Sequence, residues 1–192
     1  RGEFAEDTYS LREAMQQLVD LGYISAPTED QSQLYESVVR DRKAARAQFL
    51  FSAGRLDEAE GTLRELLAEA PNARYSTRLA MALIEQERFD EAETIVTELA
   101  GDPSEAPVAT LMLGQIRFGQ GKYEEAAGLY EKVLAFGVRL PSVQTHLGQV
   151  RLRQQRWADA QAAFEKALTI DLDDADALDG LGVALRNQGR AQ

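Results

Sequence analysis

The densest group of potentially reactive side chains in this 192-residue sequence is an aspartate-rich run, DLDDADALD, near the C-terminal end. A calcium loop beginning at Asp171 would need glycine at its sixth position and glutamate at its twelfth. Asp176 and Gly182 occupy those positions. We therefore expect no calcium site, and we interpret the aspartates as helix N-caps in a turn between two helices.

The sequence contains few other residues that could carry out catalysis. Cysteine is absent, which excludes thiol nucleophiles and thiolate metal ligands. The single histidine, His146, has no neighbouring set of Ser and Asp that would indicate a triad, and the helical pattern predicts that it lies on an exposed face. Glu124 and Glu125 are adjacent, so on a helix their carboxylates point apart. We expect no enzymatic activity, no metal and no cofactor.

Charge narrows the class of partner. The chain has 21 basic and 32 acidic residues, and its net charge of −11 repels phosphate backbones and anionic lipid. No segment approaches the roughly 18 consecutive apolar residues of a spanning helix. We expect no nucleic-acid partner, no membrane insertion, and a soluble protein of a bacterial cytoplasm or periplasm.

The elements that position these side chains follow from an internal repeat. Ala59, Ala92, Ala126 and Ala160 are 33, 34 and 34 residues apart, in similar strings such as RFDEAETIVTEL and KYEEAAGLYEKV. A leucine followed by a small residue, as in Leu113-Gly114, also recurs every 34 residues. Large apolar residues stand three positions before and four positions after each alanine: Leu56, Phe89, Tyr123 and Trp157, then Leu63, Val96, Tyr130 and Phe164.

Each period has room for two amphipathic helices, because apolar residues recur within it at i, i+3, i+4 and i+7. Gly54 and Gly121 fall where the first helix must end and reverse. Small residues let the two helices approach closely, and aromatic rings fill the space beside them. This repeat-defining set comprises the four alanines with Gly114, Gly148, Gly182, Tyr123, Tyr130, Trp157 and Phe164.

The pattern of a large residue, Leu-Gly, alanine, an aromatic and a closing proline resembles the tetratricopeptide repeat. The resemblance covers about 40–192, some four and a half units. It implies an all-α fold, a right-handed superhelical α-solenoid of antiparallel helix pairs. The sequence departs from the family pattern at Arg46, Arg117 and Arg151, which stand at normally apolar positions, and Pro71 alone closes a unit in the usual place.

The chain ends differ from the repeats. Residues 1–4, RGEF, look like a remnant of an expression vector. Capping boxes at Ser10–Glu13 and Thr28–Gln31 predict a short opening helix and one long helix from about 29 to 53. The predicted segments are 5–28 (capping helix and linker), 29–72 (long helix and first repeat), 73–106, 107–140 and 141–174 (further repeats), and 175–192 (first helix of a fifth repeat, a cap or a truncation).

A second resemblance lies in the string QQLVDLGYISAP, followed by a helix and GRLDEAE. It is similar to the C-terminal edge of alkaline-phosphatase-superfamily hydrolases, the sulfatases and phosphodiesterases, some of which continue into tetratricopeptide repeats. The resemblance implies a hydrolase tail with its catalytic domain upstream. The alternative is a capping glycine, Gly22, followed by two apolar residues that tuck back onto the helix.

The first helices should line a concave groove with repeating columns of side chains. An apolar column flanked by glutamine and threonine suits a partner peptide, since burial supplies affinity and amides orient its backbone. Alternatively, the apolar column packs between neighbouring first helices. The groove residues are Phe51, Ile84, Phe118 and Leu152; Gln48, Met81, Gln115 and Gln149; Thr77, Leu111 and Thr145; and Arg153.

Arg153 lies in a stretch from Lys132 to Ala158 that has no acidic residue. It could hold a carboxylate of the partner. Alternatively, Asp176 and Asp179 pair with these arginines inside the protein. The lysine and asparagine arrangement by which chaperone-binding family members clamp a terminal carboxylate is missing, so chaperone tails are not the favoured partner.

Three functional hypotheses follow. The leading one is a non-enzymatic scaffold that binds a protein or peptide segment in the concave groove. The second is the tail of a larger hydrolase. The third is self-assembly, in which the chain forms a homo-oligomer through its ends.

Overall fold

The structure, a computed structural model, describes residue 13 and residues 16–23, 25–137 and 142–191. Ser10 of the first predicted capping box, and residues 1–4, lie outside the described residues. Helices joined by short turns make up the described chain, which contains no strand, so the all-α prediction is confirmed. Residues 16–20 are helical and are followed by α1 (Glu29–Ser52), α2 (Leu56–Glu69), α3 (Ala73–Glu85), α4 (Phe89–Leu99), α5 (Ala106–Gly119), α6 (Tyr123–Ala135), α7 (Ser142–Arg153), α8 (Trp157–Ile170) and α9 (Ala175–Ala191).

The long helix α1 begins at the predicted capping box. The backbone N–H of Gln31 donates to Oγ1 of Thr28 at 3.3 Å, and the N–H of Thr28 donates to Oε1 of Gln31 at 3.0 Å. These two bonds satisfy amides that the first helical turn leaves without intrahelical acceptors. The helix then runs without interruption to Ser52, which confirms the predicted long helix.

A left-handed residue turns the chain between the two helices of each pair. Gly54 and Gly121 have φ values of 72° and 74°, as expected for glycines that reverse a helix. The equivalent positions in the other pairs hold Glu87 and Gln155, with φ values of 57° and 58°. The reversal is therefore imposed by packing of the helix pair, and two non-glycine residues accept a strained conformation to complete it.

The helices pack as antiparallel pairs in a right-handed superhelical solenoid, the predicted fold class. Each first helix contacts the second helix of its own pair, as α5 contacts α6 and α7 contacts α8. Each second helix also contacts the next first helix, and the first helices α3, α5, α7 and α9 contact one another in succession. Apolar side chains from neighbouring pairs thus form three successive buried clusters along the stack, as stacked repeats require.

Glycine and alanine lie where the two helices of a pair meet. Ala59, Ala92, Ala126 and Ala160 are fully buried. A Cβ built at Gly148 would lie 2.5 Å from Cε1 of Phe164, and one at Gly114 would lie 2.8 Å from Cδ1 of Tyr130. The rings of Tyr130 and Phe164 are themselves buried, so each occupies the space that a larger residue on the first helix would need. Tyr123 and Trp157, at the starts of α6 and α8, are half-buried.

Gly182 does not make the close helix contact that the sequence predicts for it. A Cβ at Gly182 would meet nothing within 4 Å, because no described second helix covers this side of α9. Gly180 makes the close approach instead, against the ring of Phe164 in the preceding pair.

Two of the three arginines that depart from the family pattern, Arg117 and Arg151, form ion pairs with the preceding helix pair. Arg117 of α5 donates from Nη1 and Nη2 to the two carboxylate oxygens of Glu93 in α4, at 2.7 and 2.6 Å. Arg151 of α7 donates to Glu131 of α6 at 2.8 Å. At these two positions, charge-assisted hydrogen bonds connect successive helix pairs and replace the apolar contacts that are usual in the family.

Candidate functional site

The first helices place the predicted groove residues on one side of the solenoid, which we call the first-helix face. One concavity on this face is a cleft of about 480 Å³ between α1 and α3. Four predicted groove residues line this cleft: Gln48 and Phe51 from α1, and Thr77 and Met81 from α3. Gln48 and Met81 are exposed, whereas Phe51 and Thr77 are half-buried, so the cleft combines apolar surface with amide and hydroxyl groups.

The cleft also contains charged residues that the sequence analysis missed. Arg74 and Arg78 line it from α3, and Glu105 places one carboxylate there. Neither guanidinium group forms an ion pair or a side-chain hydrogen bond with any residue that the structure describes. A usable signal was present, since Arg74 precedes Thr77 by three residues and Arg78 precedes Met81 by three, which puts them on neighbouring parts of one helix face.

Between α5 and α7, a hydrogen-bond network occupies the first-helix face. The amide Nε2 of Gln115 is 3.1 Å from Nε2 of His146, and the other ring nitrogen, Nδ1, is 3.4 Å from Oε1 of Gln149. These partners fit a neutral imidazole that accepts at Nε2 and donates from Nδ1. Two predicted groove glutamines are therefore engaged within the protein, beside the half-buried Leu111.

The prediction that His146 lies on an exposed face is wrong. Its ring stacks on the buried ring of Tyr130, with 5.4 Å between the centroids and 25° between the planes. Burial lowers the pKa of His146, against the hydrogen bond that its Nδ1 donates to Gln149 and the nearby charges of Asp176 and Asp174, which raise it. The prediction considered only which residues of α7 are polar. It could not show that Tyr130 of the neighbouring helix α6 covers the side of α7 on which His146 lies.

Thr145, also a predicted groove residue, is not available to a partner, because it is buried and its hydroxyl donates to Oδ2 of Asp174 at 2.6 Å. The other oxygen of Asp174 accepts the backbone N–H of Ala177 at 2.9 Å, as an N-cap of α9 does. These hydrogen bonds hold the pKa of Asp174 below its usual value, and the bond from Thr145 has the largest effect. Part of the aspartate-rich run is therefore structural, as the sequence predicted.

The apolar column of predicted groove residues is partly buried against the core. Ile84, Phe118 and Leu152 are half-buried, and each packs against a cluster of fully buried residues. Phe118 also contacts the ring of Tyr123, at 5.7 Å between centroids and a tilt of 57°. The column thus lies at the boundary between core and surface, with one edge of each side chain on the first-helix face.

Arg153 extends over this column. Its guanidinium carbon lies 5.8 Å from the centre of the Phe118 ring, within the range of a cation–π contact. The proposed internal pairing with Asp176 and Asp179 is wrong for its neighbours, because Arg151 pairs with Glu131 and Arg156 with Asp159. Arg153 itself forms no ion pair with a residue in the described ranges, so its charge remains open to a partner.

The first-helix face offers groups suited to binding. Across residues 16–23, 25–137 and 142–191, no cluster of histidine, aspartate and glutamate could hold a metal ion. No described helix combines the length and the apolar character that crossing a membrane requires. What the first-helix face presents is apolar surface, amides and unpaired guanidinium groups, which together can recognise a peptide backbone, apolar side chains and carboxylates.

Comparison with solved structures places this fold among tetratricopeptide repeat proteins. A tetratricopeptide repeat protein from Parabacteroides merdae has a TM-score of 0.57 at 17% identity, over 79% of this chain and 60% of that one, so the chain spans less than two thirds of it. MamA from Desulfovibrio magneticus RS-1, from residue 41 to its end, has a TM-score of 0.56 at 16% identity over 79% and 92% of the two chains. MamA MSR-1 has a TM-score of 0.55 at 21% identity over 78% and 84%. These likenesses show the fold.

Sequence comparison gives the family. No curated protein matches the chain significantly. A model described as tetratricopeptide repeat matches residues 77–137 and 146–192, more than half of the chain, and a second model of the same description matches residues 43–65. Proteins built from these repeats typically act as protein-interaction scaffolds on their extended concave surfaces. The chain belongs to the tetratricopeptide repeat family.

Proposed function

We propose that this chain is a non-enzymatic scaffold that binds an extended segment of another protein along the first-helix face. The observation that carries the proposal is the cleft between α1 and α3. Its volume of about 480 Å³ matches small binding sites, and it is lined by both apolar and hydrogen-bonding side chains. Family membership supports the same general role.

The lining of the cleft favours a particular partner chemistry. Phe51 and Met81 provide apolar contact for one large side chain, and Gln48 and Thr77 can hydrogen-bond to the backbone beside it. The guanidinium groups of Arg74 and Arg78 outnumber the single carboxylate of Glu105, and they have no described partners. We therefore propose that the bound segment carries a carboxylate next to a large apolar residue.

A second contact of the same segment fits Arg153. Its guanidinium group lies over Phe118, so a carboxylate could pair with it while apolar atoms cover the ring edge. Between the two contact regions, Gln115 and Gln149 hold His146 and leave a smaller share of their hydrogen-bonding capacity for the segment.

Selection from a random peptide display library tests the proposal, because the natural partner is not needed. Enriched peptides should pair Asp or Glu with a large apolar residue. Their binding should weaken at least tenfold in Arg74→Glu and Arg78→Glu variants, and should stay unchanged in Arg42→Glu, an exposed arginine of α1 outside the cleft residues named above. Thermal unfolding should match the parent protein in all three. Peptides without acidic residues, or binding indifferent to both charge reversals, would contradict the proposed chemistry.

The hydrolase-tail hypothesis is a second candidate because of the residues around Gly22. Gly22 has a φ of 75°, and the N–H of Tyr23 donates to the carbonyl of Leu18 at 2.9 Å, as in a glycine-capped helix end. The expected tucking back of apolar residues does not occur at Tyr23, which is 76% exposed, and Leu21 is 69% exposed. Such exposure fits a contact with an adjoining domain. An upstream reading frame that encodes metal-ligating Asp and His residues would support this candidate, and its absence would eliminate it.

A further inference from the structure

The cleft and Arg153 lie toward opposite ends of helix α5. The cleft that contains Arg74 and Arg78 reaches the first turn of α5, where Val108 lines it. Arg153 lies over Phe118, in the last turn of the same helix. The three guanidinium groups form no ion pair with any residue in the described ranges. Both regions lie between described helices, within the stack of repeats.

The repeat period gives the offset between these groups along the helices. Arg153 corresponds to Glu85 of α3, 68 residues earlier, which follows Arg74 by eleven residues and Arg78 by seven. Because an α-helix rises about 1.5 Å per residue, Arg153 lies about 10–17 Å further along the helix direction than the two cleft arginines.

The lateral offset is two helix spacings, from α3 to α5 and from α5 to α7. These first helices contact one another in succession. The hydrogen bond between Gln115 and His146, which are 31 residues apart, shows that α5 and α7 lie side by side nearly in register with the repeat. Packed helices have axes about 8–10 Å apart, so the lateral offset is about 16–20 Å. The diagonal is about 20–25 Å, which about six to eight residues of extended chain span at roughly 3.3 Å each.

A single exposed ion pair is a weak basis for recognition by this chain. The net charge of −11 opposes the approach of an acidic segment, and an isolated pair at the surface contributes little. Two contacts joined by a short segment reinforce each other, because the first contact holds the second carboxylate at a high effective concentration near its guanidinium group. A segment that carries both carboxylates is therefore preferred over a segment that carries either one alone.

We infer that the bound segment carries two acidic residues about six to eight positions apart, one paired with the cleft arginines and the other with Arg153. The residue beside the large apolar side chain is the one that enters the cleft. The inference rests on the proposed binding along the first-helix face and adds the spacing of its two contacts. The segment crosses α5 obliquely, over the half-buried Leu111 and Gln115.

Fluorescently labelled synthetic peptides test this spacing. Each peptide contains a Glu-Leu pair and a second Glu, in either order, with serine and threonine at the other positions. The two glutamates are two or seven residues apart, and all peptides have the same charge, so the peptides differ only in reach. The shorter spacing spans about 7 Å and does not join the two regions.

Arg153→Gln should weaken binding of the seven-residue peptide of one order about three- to fivefold and leave the two-residue peptides unchanged. Arg74→Gln should weaken both spacings. Arg156→Gln is the matched control, because this exposed arginine pairs with Asp159 three residues later, and it should change neither. Thermal unfolding of Arg153→Gln should match that of the parent protein.

The two proposals fail in different ways. Arg153→Gln that weakens both spacings equally, or neither, would overturn the inference, while a loss of binding in Arg74→Gln would still support the cleft as the binding site. Binding that is indifferent to both Arg74→Gln and Arg78→Gln, or no binding of any peptide, would overturn the proposed function and this inference with it.

Discussion

The imidazole ring of His146 in α7 lies against the phenol ring of Tyr130 in α6, with 5.4 Å between their centroids. Gly114 of α5 contacts the same phenol ring, so Tyr130 is enclosed by the first helix of its own pair and by that of the next. This one aromatic residue therefore joins two successive helix pairs, and its burial raises the pKa of the phenol. The contact connects stability of the stack to the charge of a single histidine.

Mild acid should weaken the fold through His146. Burial places its pKa in the folded protein below the usual value of 6.5, so between these two pKa values the unfolded chain binds more protons than the folded one. Stability is therefore full above pH 6.5 and declines as the pH falls toward the lowered pKa, by about 1.4 kcal/mol for each pKa unit between the two states.

Urea unfolding at pH 7.5 and pH 5.5 measures this effect above the range in which carboxylates titrate. The matched variant is His146→Met, because Met112 occupies the equivalent position in α5 and is buried. The parent protein should lose stability between the two pH values, and the variant should not. An identical loss in both proteins would show that another group is responsible.

Gly148→Ala should destabilise the protein by about 1–3 kcal/mol, although alanine is the better helix former by about 1 kcal/mol. The new methyl would overlap the ring of Phe164, which is fully buried and also lies against Gly180 of α9. Gly128→Ala in α6 is the control, since its methyl meets nothing within 4 Å and should stabilise the helix. Thermal melting distinguishes them; a rise in melting temperature for both variants would mean that the ring contact is loose.

Glu93→Gln should lower stability at pH 7 by about 0.5–1 kcal/mol, because it weakens the two-point pair with Arg117 between successive helix pairs. The hydrogen bond from Arg117, partly opposed by burial, holds the pKa of Glu93 below 4.5. The contribution of Glu93 is thus present above pH 4.5 and disappears as the pH falls through the lowered pKa. Chemical unfolding at pH 7 and pH 3 should show a smaller difference between parent and variant at pH 3 than at pH 7.

Asp159→Asn provides the comparison for that pair. Asp159 pairs with Arg156 three residues earlier, and about half of each side chain is exposed. Its removal should leave stability unchanged within error. A loss as large as that of Glu93→Gln would indicate a general effect of negative charge rather than a specific contact between repeats.

Gln155→Gly should raise the melting temperature. Gln155 adopts a φ of 58° at the reversal between α7 and α8, where the equivalent position in the preceding pair is Gly121. Relief of left-handed strain outweighs the greater flexibility of glycine in the unfolded chain, for a net gain of about 0.5–1 kcal/mol. A lower melting temperature would show that the side chain of Gln155 contributes more than its backbone costs.

The sequence predicted the fold well because the repeat leaves several copies of each position. Ala126, Tyr130 and Gly148 were assigned from their spacing, and the structure places all three in the core. Positions that differ between repeats were harder to predict. His146 and Gly180 occupy equivalent positions in successive repeats. The ring of His146 stacks on Tyr130, whereas Gly180 lets the ring of Phe164 approach the helix backbone, and this difference is visible only in the packed structure.

The groove was predicted less completely. Column spacing identified Phe51 and Met81, which line the cleft, but not Arg74 or Arg78. Whether a polar groove residue faces a partner depends on hydrogen bonds to distant segments, such as that from Thr145 to Asp174, 29 residues later. Periodicity gives the face of a helix, whereas the availability of a side chain on that face is decided by tertiary contacts.

Nuclear magnetic resonance with an acidic, apolar peptide from the display selection tests the central claim most directly. Titration should shift the backbone amide signals of Gln48, Phe51, Thr77 and Met81, and leave those of Gly61 and Gly128 on second helices unchanged. Shifts confined to second helices, or spread evenly over the chain, would contradict binding on the first-helix face.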